Sequence, residues 1–130
     1  MDWNLLSDIS SGALTGALRA CSARQRALAD NIANVDTPGF IRQDLQFEEA
    51  LATAVRTARR APQRAGHIVS DFRVEPKRDG SLPARADGNN VDIDREMVML
   101  ARNALRYQAA GEALSARVRM LRSAIQGGRR

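Results

Sequence analysis

The first third of the chain repeats apolar positions at spacings of four and three: Leu14, Leu18, Cys21, Leu28, Ile32 and Val35, with Gln25 as the polar member. This is the a/d pattern of a helix that packs along one seam against another helix. Ser10 or Ser11 offers an N-cap, and the small residues Gly12, Gly16 and Ala17 permit close approach of a neighbour. The helix should end before Thr37-Pro38-Gly39, because Pro38 excludes α geometry at Thr37 and Pro38-Gly39 suits the centre of a type II turn.

A longer pattern fills the other end. Ile93, Met97, Leu100, Ala104, Tyr107, Gly111, Leu114, Val118, Leu121 and Ile125 alternate spacings of four and three without a break. Asp92 is placed to cap this helix, and Asp94 and Glu96 set negative charge on its first turn. Arg117, Arg119 and Arg122 fall near its carbonyl end, and Gly127-Gly128 marks the stop. Roughly 34 residues at ~1.5 Å each make a rod of ~50 Å, and a stripe of that length needs a partner to cover it. The two stripes therefore predict an antiparallel pairing of the chain ends. Leu14, Leu18, Leu28 and Ile32 would face Leu100, Tyr107, Leu114, Val118 and Leu121, each buried leucine contributing roughly 1.5–3 kcal/mol.

The middle differs in kind. Asp44 can cap a short helix whose apolar face is Phe47, Leu51, Val55 and Ala58, running out near Pro62. Ile68, Ser70, Phe72 and Val74 alternate with His67, Val69, Asp71 and Arg73, a weak strand signal. Pro76, Gly80, Pro83 and Gly88 then interrupt the chain up to Asn89-Asn90. The chain divides into an N-terminal helix over 1–36, a middle excursion over 37–90 and a C-terminal helix over 91–130. The fold class is mainly α: two long terminal helices paired as an antiparallel coiled coil, with a short irregular or extended middle.

Composition narrows the chemistry. Of 130 residues 44% are hydrophobic but only 4% aromatic, a balance that suits helix seams better than a globular core. A single cysteine, Cys21, and a single histidine, His67, leave no disulfide within the chain, no zinc ligand set and no convincing nucleophile–base pair. Cys21 falls among leucines and reads as a buried structural thiol, and His67 as an ordinary surface or interface histidine. The loop Asp87-Gly88-Asn89-Asn90-Val91-Asp92 fails the EF-hand pattern, with Asp92 where glycine is required and Val98 where glutamate is required. No catalytic, metal or cofactor site is expected. The net charge of +5 resides mostly in the last helix, and all basic residues but Lys77 are arginine. Arg56, Arg59, Arg60 and Arg64 cluster at the end of the short helix; Arg95, Arg102, Arg106 and Arg117 lie near one face of the long one. Without interleaved aromatics, these read as interface and solvated flanks in preference to a phosphate track. No apolar run approaches the ~20 residues of a membrane span. The start of the chain lacks the basic region of a cleavable signal.

Two motifs carry a resemblance. The stretch Ala29 to Phe40, and within it Asn31, Asn34, Thr37, Pro38, Gly39 and Phe40, resembles the N-terminal signature of bacterial flagellar rod and hook proteins. Asp30 and Phe40 stand where that signature has Asn and Tyr. The block from Asp87, with Asn89, Asn90, Val91, Asp92 and Glu96, followed by Asn103 to Ala109, is similar to the proximal-rod, FlgB-type branch of that family, as is Arg42 to Phe47. Residues 48–86 match poorly. The resemblance implies a structural component of the basal-body rod, a self- and co-assembling helical tube needed for motility. It implies export through the flagellar type III channel without a cleaved signal, and a place in the periplasm-spanning rod. Its partners would be other rod proteins, the inner-membrane ring and export-gate components, in homo- and hetero-oligomers, with no nucleic acid and no membrane insertion. The terminal helices would line the tube, the middle would face outward, and the turn from Asn31 to Gly39 would set the angle between them. The competing reading is a basic coiled-coil adaptor or nucleic-acid-binding protein.

Overall fold

The computed structural model describes residues 3–127, with side chains described from Ile9 onward except Ser70. The chain forms α1 (Trp3–Ala33), β1 (Gln43–Asp44), α2 (Glu48–Arg60), a 3-10 turn (Pro62–Arg64), α3 (Ala65–Ser70), β2 (Lys77–Arg78) and α4 (Ile93–Gly127). α1 and α4 run antiparallel along most of their lengths, as bonds from Asn31 to Glu96, Asn103 to Cys21 and Arg117 to Ser11 show. β1 and β2 form one short antiparallel ladder, Gln43 opposite Arg78 and Asp44 opposite Lys77.

α1 begins well before the expected caps. Ser10 and Ser11 lie inside the helix, because Ile9 continues a stripe with Ala13, Gly16 and Ala20. Ser11 instead receives the Arg117 guanidinium at 3.0 Å. At the other end Gly127 is the last helical residue, and Gly128 lies outside the described residues. Asp92 caps α4 as anticipated, its Oδ1 accepting the backbone N–H groups of Asp94 and Arg95 at 3.1 and 3.2 Å. Asp44 does not cap α2, which starts at Glu48. Its carboxylate accepts the adjacent Leu45 N–H, and Glu48 itself accepts from Phe47 N.

The middle does not lead away from the helices; it folds back over α1. Ile9, Ala58, Ala65 and Val69 form one buried cluster, joined by Ala13, Val55 and Ile68. Ala20, Cys21, Leu45 and Phe47 form a second, joined by Leu51, Phe72 and Val74. The expected strand over 67–74 does not form: its first residues, to Ser70, are helical, and 71–74 are outside any strand. Ala65, Ile68, Val69 and Phe72 follow the i, i+3, i+4, i+7 spacing, so a single face is apolar at helical period, and α3 lays it on α1. The two strands are built from polar residues with no alternation to announce them.

The pairing of α1 with α4 is offset from the expected stripe. On α1, Cys21, Arg24, Leu28 and Asn31 are buried, while Leu14, Leu18 and Ile32 are half-buried and Gln25 is exposed. On α4 the buried residues are Glu96 and Asn103, with Leu100 and Leu114 half-buried. Ile93, Met97, Tyr107, Val118 and Leu121 stay 41–51% exposed in the single chain. Within one chain α4 therefore presents a face rotated toward Glu96 and Asn103, because those polar side chains find their partners on α1. Leu45 is fully buried in the second cluster. We expect Leu45→Ala to cost about 3 kcal/mol in urea denaturation, and Ile125→Ser at an exposed α4 position to cost less than about 0.5 kcal/mol.

Candidate functional site: the junction of the two motifs

The two signature stretches, distant in sequence, meet where α1 ends and α4 begins. The backbone after α1 turns at Thr37-Pro38-Gly39-Phe40, closed by Phe40 N–H to Thr37 O at 3.3 Å, with Gly39 at φ +71°. Gly39 N–H donates to Asp87 O at 2.8 Å. Gly88 also lies in the left-handed region, at φ +81°, and a Cβ there would lie 3.4 Å from Gly39 Cα. Two glycine turns thus pack backbone to backbone, which only residues tolerant of positive φ allow.

Asn89 uses this proximity. Its buried Nδ2 faces the carbonyls of Asn34, Val35 and Thr37 at 2.9, 3.1 and 2.8 Å, in the turn that follows α1. Its Oδ1 accepts Val91 N–H at 2.7 Å. Arg85 adds a guanidinium bond to Val35 O. Asn90 does the parallel work one strand over: its Oδ1 accepts Arg42 N–H and its Nδ2 donates to Asp79 O, both at 2.7 Å. Asn31 clasps Gln43 in both directions, Nδ2 to the carbonyl at 2.7 Å and Oδ1 from the N–H at 2.8 Å. Asn34 bonds Asp30 O and receives the Thr37 hydroxyl.

At the centre are two fully buried charges. Arg42 Nε donates to Glu96 Oε1 at 2.6 Å, and Asn31 Nδ2 donates to Glu96 Oε2 at 2.9 Å. The other arm of Arg42 pairs with Asp79 at the rim of the junction and reaches the Met99 sulfur at 3.6 Å. Burial alone would lower the Arg42 pKa, but Glu96, joined by Asp44 and Asp79, outweighs it and raises it, so the guanidinium is held charged. Bonds from Ser81, assisted by Arg42, hold the Asp79 carboxyl below the usual carboxylate range. One carboxylate of α4 thereby ties together α1, the connector after it and the segment before α4.

A second polar contact continues along the seam. Arg24 donates Nε to Leu45 O at 2.7 Å, grips Glu48 with both terminal nitrogens at 2.7 and 3.1 Å, and lies 4.9 Å from the Phe47 ring centroid. Arg106 of α4 reaches the same Glu48. Burial tends to raise the Glu48 pKa, but the Arg24 bond wins and lowers it. Asn103 donates to Cys21 O and Gln25 Oε1 at 2.8 and 2.9 Å. Burial pushes the Cys21 thiol up, which keeps it protonated and inert.

All the signature residues named from the sequence, Asn31, Asn34, Thr37, Pro38, Gly39, Asn89, Asn90, Val91, Asp92 and Glu96, converge on this junction, with Phe40 half-buried beside them. Sequence reasoning placed Arg42 and Asn103 in stretches that carry the resemblance without giving either a role, and passed over Asp79 and Arg24. Arg24 carried a signal: Cys21, Arg24, Leu28 and Asn31 keep a 3-4-3 spacing, a seam with two polar members.

The model of the family described as flagella basal body rod protein matches residues 13–40, the last two thirds of α1 and the turn. The chain is 32% identical over 123 residues to the flagellar basal body rod protein FlgB of Escherichia coli, covering 86% of this chain and 89% of that one. It is 28% identical to FlgB of Bacillus subtilis, covering 89% and 92%, and 33% identical to FlgB of Aeromonas hydrophila, covering 85% and 88%. The chain belongs to the FlgB family of flagellar basal body rod proteins. It is a structural component of the basal-body rod. No helix among the described residues is long and apolar enough to cross a membrane.

Arg42→Met or Glu96→Met alone should cost about 3–5 kcal/mol, because each strands a buried charge, whereas the double substitution should lose clearly less than the sum. Urea denaturation of the four proteins completes that cycle. The lowered carboxyls give a second expectation. Unfolded carboxyls near pH 4 take up protons before Asp79 and Glu48 do, so their contribution is present above about pH 4 and lost as pH falls below it. Asp79→Asn should flatten that acid slope in pH-dependent denaturation.

Proposed function

We propose that this chain builds the rod as a subunit of a helical tube, joining copies of itself and other rod proteins through the open flank of α4. The observation that carries this reading is the apolar row Ile93, Met97, Tyr107, Val118, Leu121 and Ile125, 41–71% exposed although α1 lies alongside. Monomeric proteins rarely leave such a row uncovered. The same helix turns its arginine flank inward at Arg106, toward α2, so one side of α4 is occupied within the chain and the other is free for a neighbour.

The division of labour within the chain supports it. α1 is sheathed by the middle on one side and α4 on another, and the junction at Arg42 and Glu96 fixes their register. A subunit held in one register repeats one surface, which a regular assembly requires. We further infer a proximal position in the rod, contacts with the inner-membrane ring and export gate, and export through the flagellar type III channel without a cleaved signal, as the FlgB relationship suggests. The role is structural, with no part for catalysis.

Met97→Asp with Val118→Asp is expected to leave thermal unfolding of the isolated chain within a few degrees of the parent, since both positions are exposed. In cells lacking the native gene it should abolish flagella and swimming while sparing growth. Motility restored to parental levels by this variant would overturn the α4 interface. Deletion of the gene without loss of flagella would overturn the rod reading itself.

A further inference from the structure

Between the middle and α4, one ridge of α1 stays open: Arg19, Ser22 and Arg26, spaced by three and four, are all exposed. Two hollows adjoin it. The first, about 470 Å³, lies between α1 and the segment after α3, with Phe72, Val74 and Tyr107 in its walls and Arg19, Arg26 and Arg73 bordering it. The second, about 390 Å³, lies between α1 and α4 and shares Ser22, Arg26 and Tyr107 with the first. Among the described residues no carboxylate lines either hollow. The nearest carboxylates along the chain, Asp30, Asp71 and Glu75, lie outside both linings, and Asp30 forms no ion pair with Arg26 one turn away. Arg19 and Arg26 sit well inside the helix, where its dipole gives a cation no stabilisation. Local helix stability does not account for this charge.

The second hollow adds a requirement of its own. Asn103 stands in its wall and is buried, with Nδ2 committed to Cys21 O and Gln25 Oε1. Those two acceptors fix the orientation of the amide. Its Oδ1 is left as the one buried side-chain polar atom without a hydrogen-bond partner among the described residues. A buried acceptor of this kind is costly until a donor reaches it. The ligand that fits therefore carries carboxylates for the arginine forks, an apolar side chain for the Phe72–Tyr107 walls and an N–H for Asn103. A peptide segment rich in Asp and Glu carries all three. A phosphate offers no N–H, and a bilayer surface is too broad to enter a trough between two elements.

We propose that this face of α1 is a docking groove for an acidic peptide segment of a partner protein. Carboxylates of the segment pair with Arg19, Arg26 and Arg73, one apolar side chain fills the hollow against Phe72 and Tyr107, and an N–H turned into the second hollow satisfies Asn103 Oδ1. The groove belongs to α1 and the middle, so it is separate from the apolar row of α4 except at Tyr107. It does not rest on the α4 interface.

Selection of a random-sequence peptide library, displayed on phage, against the full chain tests the groove without presuming a sequence. Recovered peptides should be enriched in Asp and Glu around a large apolar residue. A labelled copy of one should bind R19E/R26E at least about tenfold more weakly than the parent in fluorescence anisotropy, with circular dichroism of the variant unchanged. The same peptide with lysine in place of its acids should reverse that preference. Adding the acidic peptide should shift the Asn103 side-chain amide resonances, and M97D/V118D should keep parental affinity for it. Recovered peptides without an excess of acid, undiminished binding to R19E/R26E, or Asn103 resonances that stay in place would overturn the proposal. Loss of peptide binding in M97D/V118D would do the same by moving the site to the α4 flank. So would recovery of no acidic peptide together with binding of the parent, but not of R19E/R26E, to vesicles containing anionic phosphatidylglycerol, which would assign the arginines to a lipid surface.

Discussion

The fold depends on one buried ion pair, Arg42 with Glu96. A charge removed from water is costly, and a lone buried carboxylate would not remain ionised. Each side-chain nitrogen and oxygen of the pair therefore has a partner: Asn31 and Arg42 share the two Glu96 oxygens, and Asp79 and Met99 take the two terminal nitrogens of Arg42. These partners come from four segments separated along the chain. The pair is satisfied only when all four are in place, so it acts as a lock on register more than as a source of net stability. A shift of α4 by one turn along α1 would strand Glu96 opposite apolar surface.

The same constraint decides which face of α4 is free. Glu96 and Asn103 must point at α1 to find partners, and that rotation leaves Ile93, Met97 and Tyr107 on the open flank. The apolar stripe is thereby kept from the intramolecular seam by polar residues that outrank it. Hydrophobic burial is nondirectional and can be met by any neighbour, whereas an ionised carboxylate accepts only a matching donor. The middle follows from this too. With α4 contributing a polar seam, α1 needs another apolar partner, and Ala58, Ala65, Val69 and Phe47 supply it.

Much of this was legible in the sequence, in physical terms. Both long helices, the Asp92 cap, the type II turn at Pro38-Gly39 and the apolar face of α2 follow from period, capping and backbone limits that act locally. The junction residues were legible as signature motifs, though not as a network, since Asn89 bonding to the carbonyls that follow α1 depends on a contact more than fifty residues long. What local patterns hid was competition. Ile68, Phe72 and Val74 alternate like a strand, yet Ala65 and Val69 complete a helical face once α1 is there to receive it. The terminal stripes matched so well that their apolar members looked like one seam; the polar members, Arg24, Asn31, Glu96 and Asn103, set the seam instead.

A seam of that composition has a consequence for how the subunit is built. A polar residue at a coiled-coil core position sacrifices stability and gains register and partner choice. Asn103 bonding Cys21 O and Gln25, and Glu96 held by Asn31, are such positions on one interface. The α1–α4 pair should then be well specified but weakly driven, and isolated long helices are marginal without burial. The missing driving force has to come from apolar surface covered elsewhere: the middle supplies it to α1 within the chain, and in the proposed assembly neighbours would supply it to α4. In that assembly the helix least covered by its own chain would be the one whose order depends most on its neighbours, which would tie the completion of the fold to the completion of the rod.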